Sequence, residues 1–127
     1  MTAPTALTRA PAPLRKAVLA RPFKGVISAP FMPMQGDGEI DWISLRHYMR
    51  WIADQNPSAI AVNMDAAEAP ALSNAERVEV MRVCAEAVAG RVPLVCGLIG
   101  GATDQMIAHG RVLVAAGAEG FCVFPPF

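Results

Sequence analysis

"AIAVNMDAAEAPALSNAERVEVMRVCAEAVAGRVPLVCGL", residues 59–98, is the stretch that decides the fold. It opens on four apolar residues, Ala59 to Val62, and closes on a second oily run over residues 92–98. Runs so short and so continuously apolar read as strands covered on both faces. Between them Ser73 is followed three positions later by Glu76, a capping box in which each side chain satisfies a backbone N–H at a helix start. Val80, Val83, Cys84, Ala87 and Val88 then supply an inner helix face, and Gly90 stands where a left-handed residue closes the helix. A strand–helix–strand repeat of about thirty residues calls for parallel strands joined by a right-handed crossover.

The same unit repeats outward in both directions. Upstream, "KGVISAPF" from Lys24 is a β-rich run that enters "MPMQGDGE", a loop marked by proline and glycine. Trp42, Leu45, Met49 and Ile52 follow at helical spacing, with Asp41 as the N-cap. Downstream, a third helix is expected from about Thr103 to Ala116, with Met106, Ile107 and Leu113 facing inward and Gly117 as its stop. "GFCVF", residues 120–124, reads as a fourth strand. The order is β-α-β-α-β-α-β, which fits an open doubly wound sheet or part of a (β/α)8 barrel. The loop after the first strand lacks the G-x-G-x-x-G turn of a dinucleotide fold, which favours the barrel. A complete barrel needs about 250 residues. With 127 residues, this chain is expected to hold the first four strands and three helices of a TIM barrel.

Composition narrows the partners. Residues are 54% hydrophobic and 17% charged, against about a quarter charged in an ordinary domain. More surface is therefore buried than a small free-standing domain hides. Eleven basic residues balance eleven acidic ones, which argues against nucleic acid or an anionic membrane as partner. Cys84, Cys96 and Cys122 lie in apolar runs without zinc spacing, and read as free thiols in a reducing cytoplasm. No oily stretch is long enough for a membrane span, and residues 1–23 lack the compact apolar core of a signal peptide. Residues 1–23 read as an extension, with a short helix over "LRKAVLA", ahead of a barrel segment at residues 24–127.

Three stretches carry a family resemblance: "KGVISAPFMPMQGDGEIDWISLRHYMRWI", "ALSNAER" and "GRVPLVCGLIGGATDQMIAHGRVLVAAGAEGFCVFPPF". Together they resemble the N-terminal half of the dihydrodipicolinate synthase / N-acetylneuraminate lyase family, over residues 24–127. The resemblance implies a homo-oligomer, usually a tetramer, of (β/α)8 barrels. It implies class I lyase or aldolase chemistry, in which a lysine forms a Schiff base with pyruvate or a related 2-keto acid. No cofactor and no metal are implied. Of the two lysines, Lys16 lies in the extension and Lys24 precedes the first strand, at the wrong pole for a barrel active site. The Schiff-base lysine and the general-acid tyrosine of the family are expected beyond Phe127. The chain is therefore expected to be a truncated portion of a longer enzyme, inactive alone. A half-barrel that dimerises is the alternative.

The family's Gly-Thr-Thr-Gly-Glu segment, which holds the keto acid's carboxylate, corresponds to Met64, Asp65, Ala66, Ala67 and Glu68, and only the glutamate is kept. Ala66 has no hydroxyl to donate, and Asp65 sets a negative charge where a carboxylate docks. At about 4 Å two like charges repel by about 4 kcal/mol at an effective dielectric of 20. Asp65 is protonated, or turned away, or the substrate offers donors; the last, a hydroxylated or amino-bearing analogue, is the reading preferred here. Met32, Pro33 and Met34 replace a Thr-Pro-Phe triplet, and the paired tyrosines begin at Phe127, which cannot donate a proton. Asn63, Met64, Asp65, Ala66, Glu68 and Phe127 are thus the candidate substrate-binding residues. Asn63 and Asp65 serve equally well in a local Asx turn, and Glu68 could orient the loop. Met32, Met34 and Met64 could line a pocket or simply pack. "GLIGGATD" could cradle an anion ahead of a helix, although no P-loop lysine accompanies it. His47 and His109 fall within helices and read as solvated or packing residues. A non-catalytic barrel that lost its carboxylate pocket, and an unrelated phosphate-binding barrel, are the competing functions.

Overall fold

A computed structural model describes residues 24–125; the expected extension, its "LRKAVLA" helix, Lys16 and Phe127 lie outside the described residues. Strand β1 (Ile27–Ser28), helix α1 (Trp42–Asp54), strand β2 (Ala59–Val62), helix α2 (Asn74–Val88), strand β3 (Leu94–Leu98), helix α3 (Thr103–Ala116) and strand β4 (Gly120–Val123) follow in that order. The strands form one sheet in sequential order with every pair parallel: Ile27 faces Ala59, Val62 faces Cys96, and Leu98 faces Val123. Sequential parallel order is that of a barrel wall, so these are four strands and three helices of a (β/α)8 barrel, one of the two architectures the β-α repeat allowed. Only Ile27 and Ser28 of the expected first strand are paired, fewer than "KGVISAPF" led one to expect.

The sheet segregates its faces by size. Ile60, Val62, Leu94, Cys96 and Leu98 share one side and join Leu45, Met49, Ile52, Val80, Met81, Val83 and Leu113 in the core between sheet and helices. Ala59 and Ala61 point the other way and are buried as well. Exposed apolar residues sit on the outer strands and their flanks, at Val26, Ile27, Phe31 and Val123, and on the helices, at Ile43, Trp51, Ile107 and Val112.

Local chemistry explains the helix ends. Asp41 caps α1, accepting from the Ser44 N–H at 2.9 Å. Ser73 and Glu76 form the full capping box of α2. Gly90 follows the end of α2 with φ 74°, and Ala89 before it is left-handed too, at φ 53°. Helix α3 corrects one expectation: Ile107 is 51% exposed, not inward. The inner line of α3 passes through Met106, Gly110 and Leu113, with Gly110 facing Leu98 and Phe121. After β1 the loop folds on itself, with Met34 bridged to Ile40 and the Gln35 N–H donating to the Glu39 carbonyl.

Candidate functional site

Parallel strands give the sheet two distinct poles. Lys24 precedes β1, and its carbonyl accepts from the hydroxyl of Ser58, which precedes β2; both mark the N-terminal pole. Residues 63–73 leave the C-terminal end of β2, at the opposite pole. A hollow of about 490 Å³ bounded by Lys24, Val26, Trp51, Gln55 and Ser58 also opens on the N-terminal side. Its lining is ordinary surface chain far from the strand ends where barrel chemistry is placed, so cavity size is a poor guide here.

The segment after β2 is a compact shelf. Residues Asp65–Ala67 and Ala69–Ala71 form two tight helical turns joined at Glu68, whose φ is 56°. The Ala67 N–H donates to the Met64 carbonyl at 2.9 Å, Glu68 N–H to Asp65 at 3.0 Å, and Leu72 N–H to Ala69 at 3.1 Å. Ala67 and Ala69 are buried beneath the shelf, while Asp65, Ala66 and Glu68 are exposed on it. The first residues of a helical turn have N–H groups without intrahelical acceptors, so Asp65 and Ala66 keep backbone donors although their side chains offer none.

Two anchors fix the shelf to the sheet. A side chain at Gly97 of β3 would fall on the Asn63 carbonyl oxygen, so glycine is required for the chain to cross there; Met64 Sδ would lie 3.2 Å from the same added atom. Asn63 is left-handed at φ 55° and fully buried, and its Nδ2 donates to the Arg77 carbonyl at 2.9 Å. Its amide nitrogen turns toward α2 and Cys96, with Nδ2 3.5 Å from Cys96 Sγ, and its Oδ1 is buried without a hydrogen-bond partner among the described residues. Arg77, which the sequence did not single out, returns its Nε–H to the Ala69 carbonyl at 2.9 Å. A single arginine in the first turn of a helix carries no signal of this role.

The remaining candidates are placed as follows. Met32 is buried, and Met34 and Met64 are half-buried; Met32 and Met34 belong to the core around α1, whereas Met64 stands over β3. The "GLIGGATD" stretch leads into α3 from Ala102, which offers no side-chain cap. His47 is exposed. His109 is half-buried, its Nε2 is buried without a partner, and burial together with the Arg77 charge lowers its pKa. Burial pushes the Cys84 thiol up to about 12 and the Cys96 thiol up to about 11, so neither is a nucleophile at neutral pH. No helix among the described residues is long and apolar enough to cross a membrane.

A four-strand parallel wall with its loop shelf at the carboxyl ends of the strands defines a segment of an α/β-barrel protein. The profile of the dihydrodipicolinate synthetase family matches residues 22–127, and the chain belongs to that family. Among its relatives is the 4-hydroxy-tetrahydrodipicolinate synthase of Erythrobacter litoralis, 36% identical over 104 residues, covering 81% of this chain and 35% of the relative. The protein of the same name from Gluconacetobacter diazotrophicus is 28% identical over 105 residues, covering 83% and 35%. Among solved structures, the dihydrodipicolinate synthase from Bacillus clausii superposes with a TM-score of 0.78 at 33% identity, over 86% of this chain and 37% of that one. The enzyme from Aquifex aeolicus gives 0.76 at 28% identity, over 83% and 36%. The chain thus spans about a third of the length of the relatives it matches.

Proposed function

We propose that this chain is the N-terminal half of the barrel of a Schiff-base lyase or aldolase that acts on pyruvate or a related 2-keto acid, with a carboxylate pocket altered at residues 64–66. The observation that carries the reading is family membership over residues 22–127 together with a shelf that exposes Asp65, Ala66 and Glu68 at the strand ends. The start of the match at residue 22 supports a division into an extension, 1–23, and a barrel segment, 24–127. The apolar exposure of Val26, Ile27, Phe31 and Val123 on the outer strands supports further strands that close the ring. Lys24 belongs to the far pole, and the family resemblance implies that the amine that condenses with substrate and the tyrosine acid belong to later strands; on this reading residues 1–127 alone are inactive. The full-length protein is read as a cytoplasmic homo-oligomer, a tetramer as in the resemblance.

On this reading the shelf selects. Asp65 disfavours a carboxylate lying against it and favours a substrate that presents a hydroxyl or amino group, while the backbone N–H groups of Asp65 and Ala66 still accept an oxyanion. A hydroxylated or amino-bearing 2-keto acid satisfies both. The loss of both threonine hydroxyls also favours a second reading, a non-catalytic binding barrel of the same family. Borohydride reduction of the full-length protein with pyruvate, read by intact mass, separates the two. A covalent lysine adduct is expected, and its absence with pyruvate and with hydroxylated analogues overturns the lyase reading. Tight pyruvate binding with ionised Asp65 against the ligand overturns the altered-pocket part alone.

A further inference from the structure

We propose that Arg77 is a positioning residue that gathers both ends of the segment carrying Asp65, Ala66 and Glu68. The segment begins at Asn63 and ends at Ala69. At the first end the buried Asn63 amide donates to the Arg77 carbonyl at 2.9 Å; at the second the Arg77 Nε–H donates to the Ala69 carbonyl at 2.9 Å. The segment also closes on itself one residue in from its start, the Ala69 N–H lying 3.4 Å from the Met64 carbonyl. One residue of α2, through its backbone and its side chain, therefore closes a belt of five residues from behind.

The belt needs such a closure. Asn63 and Glu68, one just before the belt and one at its end, hold left-handed backbone at φ 55° and 56°, a conformation non-glycine residues keep only where their surroundings impose it. The inner side is imposed by β3, where Gly97 leaves room for the Asn63 carbonyl. The outer side is imposed by Arg77, itself oriented by its N–H to the Ser73 carbonyl at 3.0 Å and by Nη1 to Asn74 Oδ1 at 3.3 Å. His109 on α3 lies near enough that burial and then the Arg77 charge lower its pKa. Asn63 and Arg77 touch no substrate on this account; they decide where the exposed carboxylates and the Asp65 and Ala66 N–H groups point. Their effect on the reaction rests on the lyase reading above, whereas their effect on the belt does not.

The test is carried out on the full-length protein with Arg77→Met, Arg77→Lys, Asn63→Ala and, as a control for general helix weakening, Ser73→Ala. Hydrogen–deuterium exchange is read over residues 64–69, and the pyruvate concentration giving half-maximal borohydride trapping is read beside it. Loss of one buried hydrogen bond predicts about tenfold faster exchange of the belt in Arg77→Met, a smaller change in Arg77→Lys, and none in Ser73→Ala. Half-maximal trapping should move to about tenfold more pyruvate, with the plateau kept. If Arg77→Met does not fold, Asn63→Ala releases the other end and is read in the same way. Exchange within about twofold of the native rate in the folded variants, or equal acceleration by Ser73→Ala, overturns the proposal. A native protein that traps neither pyruvate nor a hydroxylated analogue overturns the lyase reading, and the exchange data still judge Arg77.

Discussion

The loops that follow β2 and β3 leave neighbouring strands at the same pole and enter neighbouring helices, yet they are built in opposite ways. The first is a pair of tight turns stitched by backbone hydrogen bonds, tied to Arg77 and finished by the Ser73–Glu76 capping box. The second runs through Gly100 and Gly101 to Ala102, and its helix starts with no side-chain cap. The rim therefore has a shelf whose shape is imposed from several sides beside a stretch with few local constraints. A recognition surface needs the first kind of support, because loosely held groups must be ordered by the ligand at a cost in affinity.

Substitutions along the two loops test this contrast. Gly97→Ala should do the most damage, since the new methyl falls on the Asn63 carbonyl, which is backbone and cannot rotate away. A loss of about 3 kcal/mol, the upper range for overpacking, is expected in denaturant unfolding. Should Gly97→Ala prove neutral, the close crossing of the shelf over β3 is wrong. Ser73→Ala removes the cap of α2 and should cost about 1 kcal/mol. It should also make the acid limb of the stability profile shallower without abolishing it, because the backbone N–H of residue 73, the larger cause, is kept. Hydrogen bonds from the Ser73 N–H and hydroxyl hold the Glu76 carboxyl below its usual 4.5, so its contribution is complete above that pH and is lost as the pH falls through the lowered value.

On the other loop the sign reverses. Ala102 has the extended backbone of an N-cap, φ −107° and ψ 139°, so Ala102→Ser should stabilise by about 1 kcal/mol by the same assay. Gly101 has open space around it and no positive φ, and Gly101→Ala should gain about 0.5 kcal/mol through the unfolded chain. A loss in either variant would mean that the loop after β3 is as constrained as its neighbour. The smallest effect concerns His109, whose pKa lies below 6.5 in the fold because burial and then Arg77 disfavour its cation. The unfolded chain takes up the proton first as pH falls, so stability should decline from about pH 6.5 downward, and His109→Leu should remove that decline in pH-dependent melting.

The helices were legible because their signals are local. Asp41, Ser73 with Glu76, and Gly117 mark their ends, and three apolar stripes mark their faces. Ile107 misled because α3 turns Met106, Gly110 and Leu113 toward the sheet, and hydropathy gives a glycine too little weight to mark that line. Asn63 was ambiguous for a different reason. An asparagine after a strand can serve a ligand or a turn, and which it does depends on the direction of its amide, set here by a carbonyl fourteen residues away. Asp65, Ala66 and Glu68 could be proposed as candidates because barrel chemistry gathers at the strand ends, a rule of topology that needs no coordinates.

Repeated strand–helix spacing and continuously apolar strands were enough, without coordinates, to define a parallel α/β wall and its pole of chemistry, and the resemblance of three longer stretches added the family. Those features depend on periods and neighbours within a few residues, and they are written in the order of the amino acids. Tertiary structure alone decided that Arg77 reaches back to Ala69, that Gly97 makes room for a crossing backbone, and that Asn63 turns inward. Each of these joins residues from different elements, and such meetings exist only once the sheet and helices have packed.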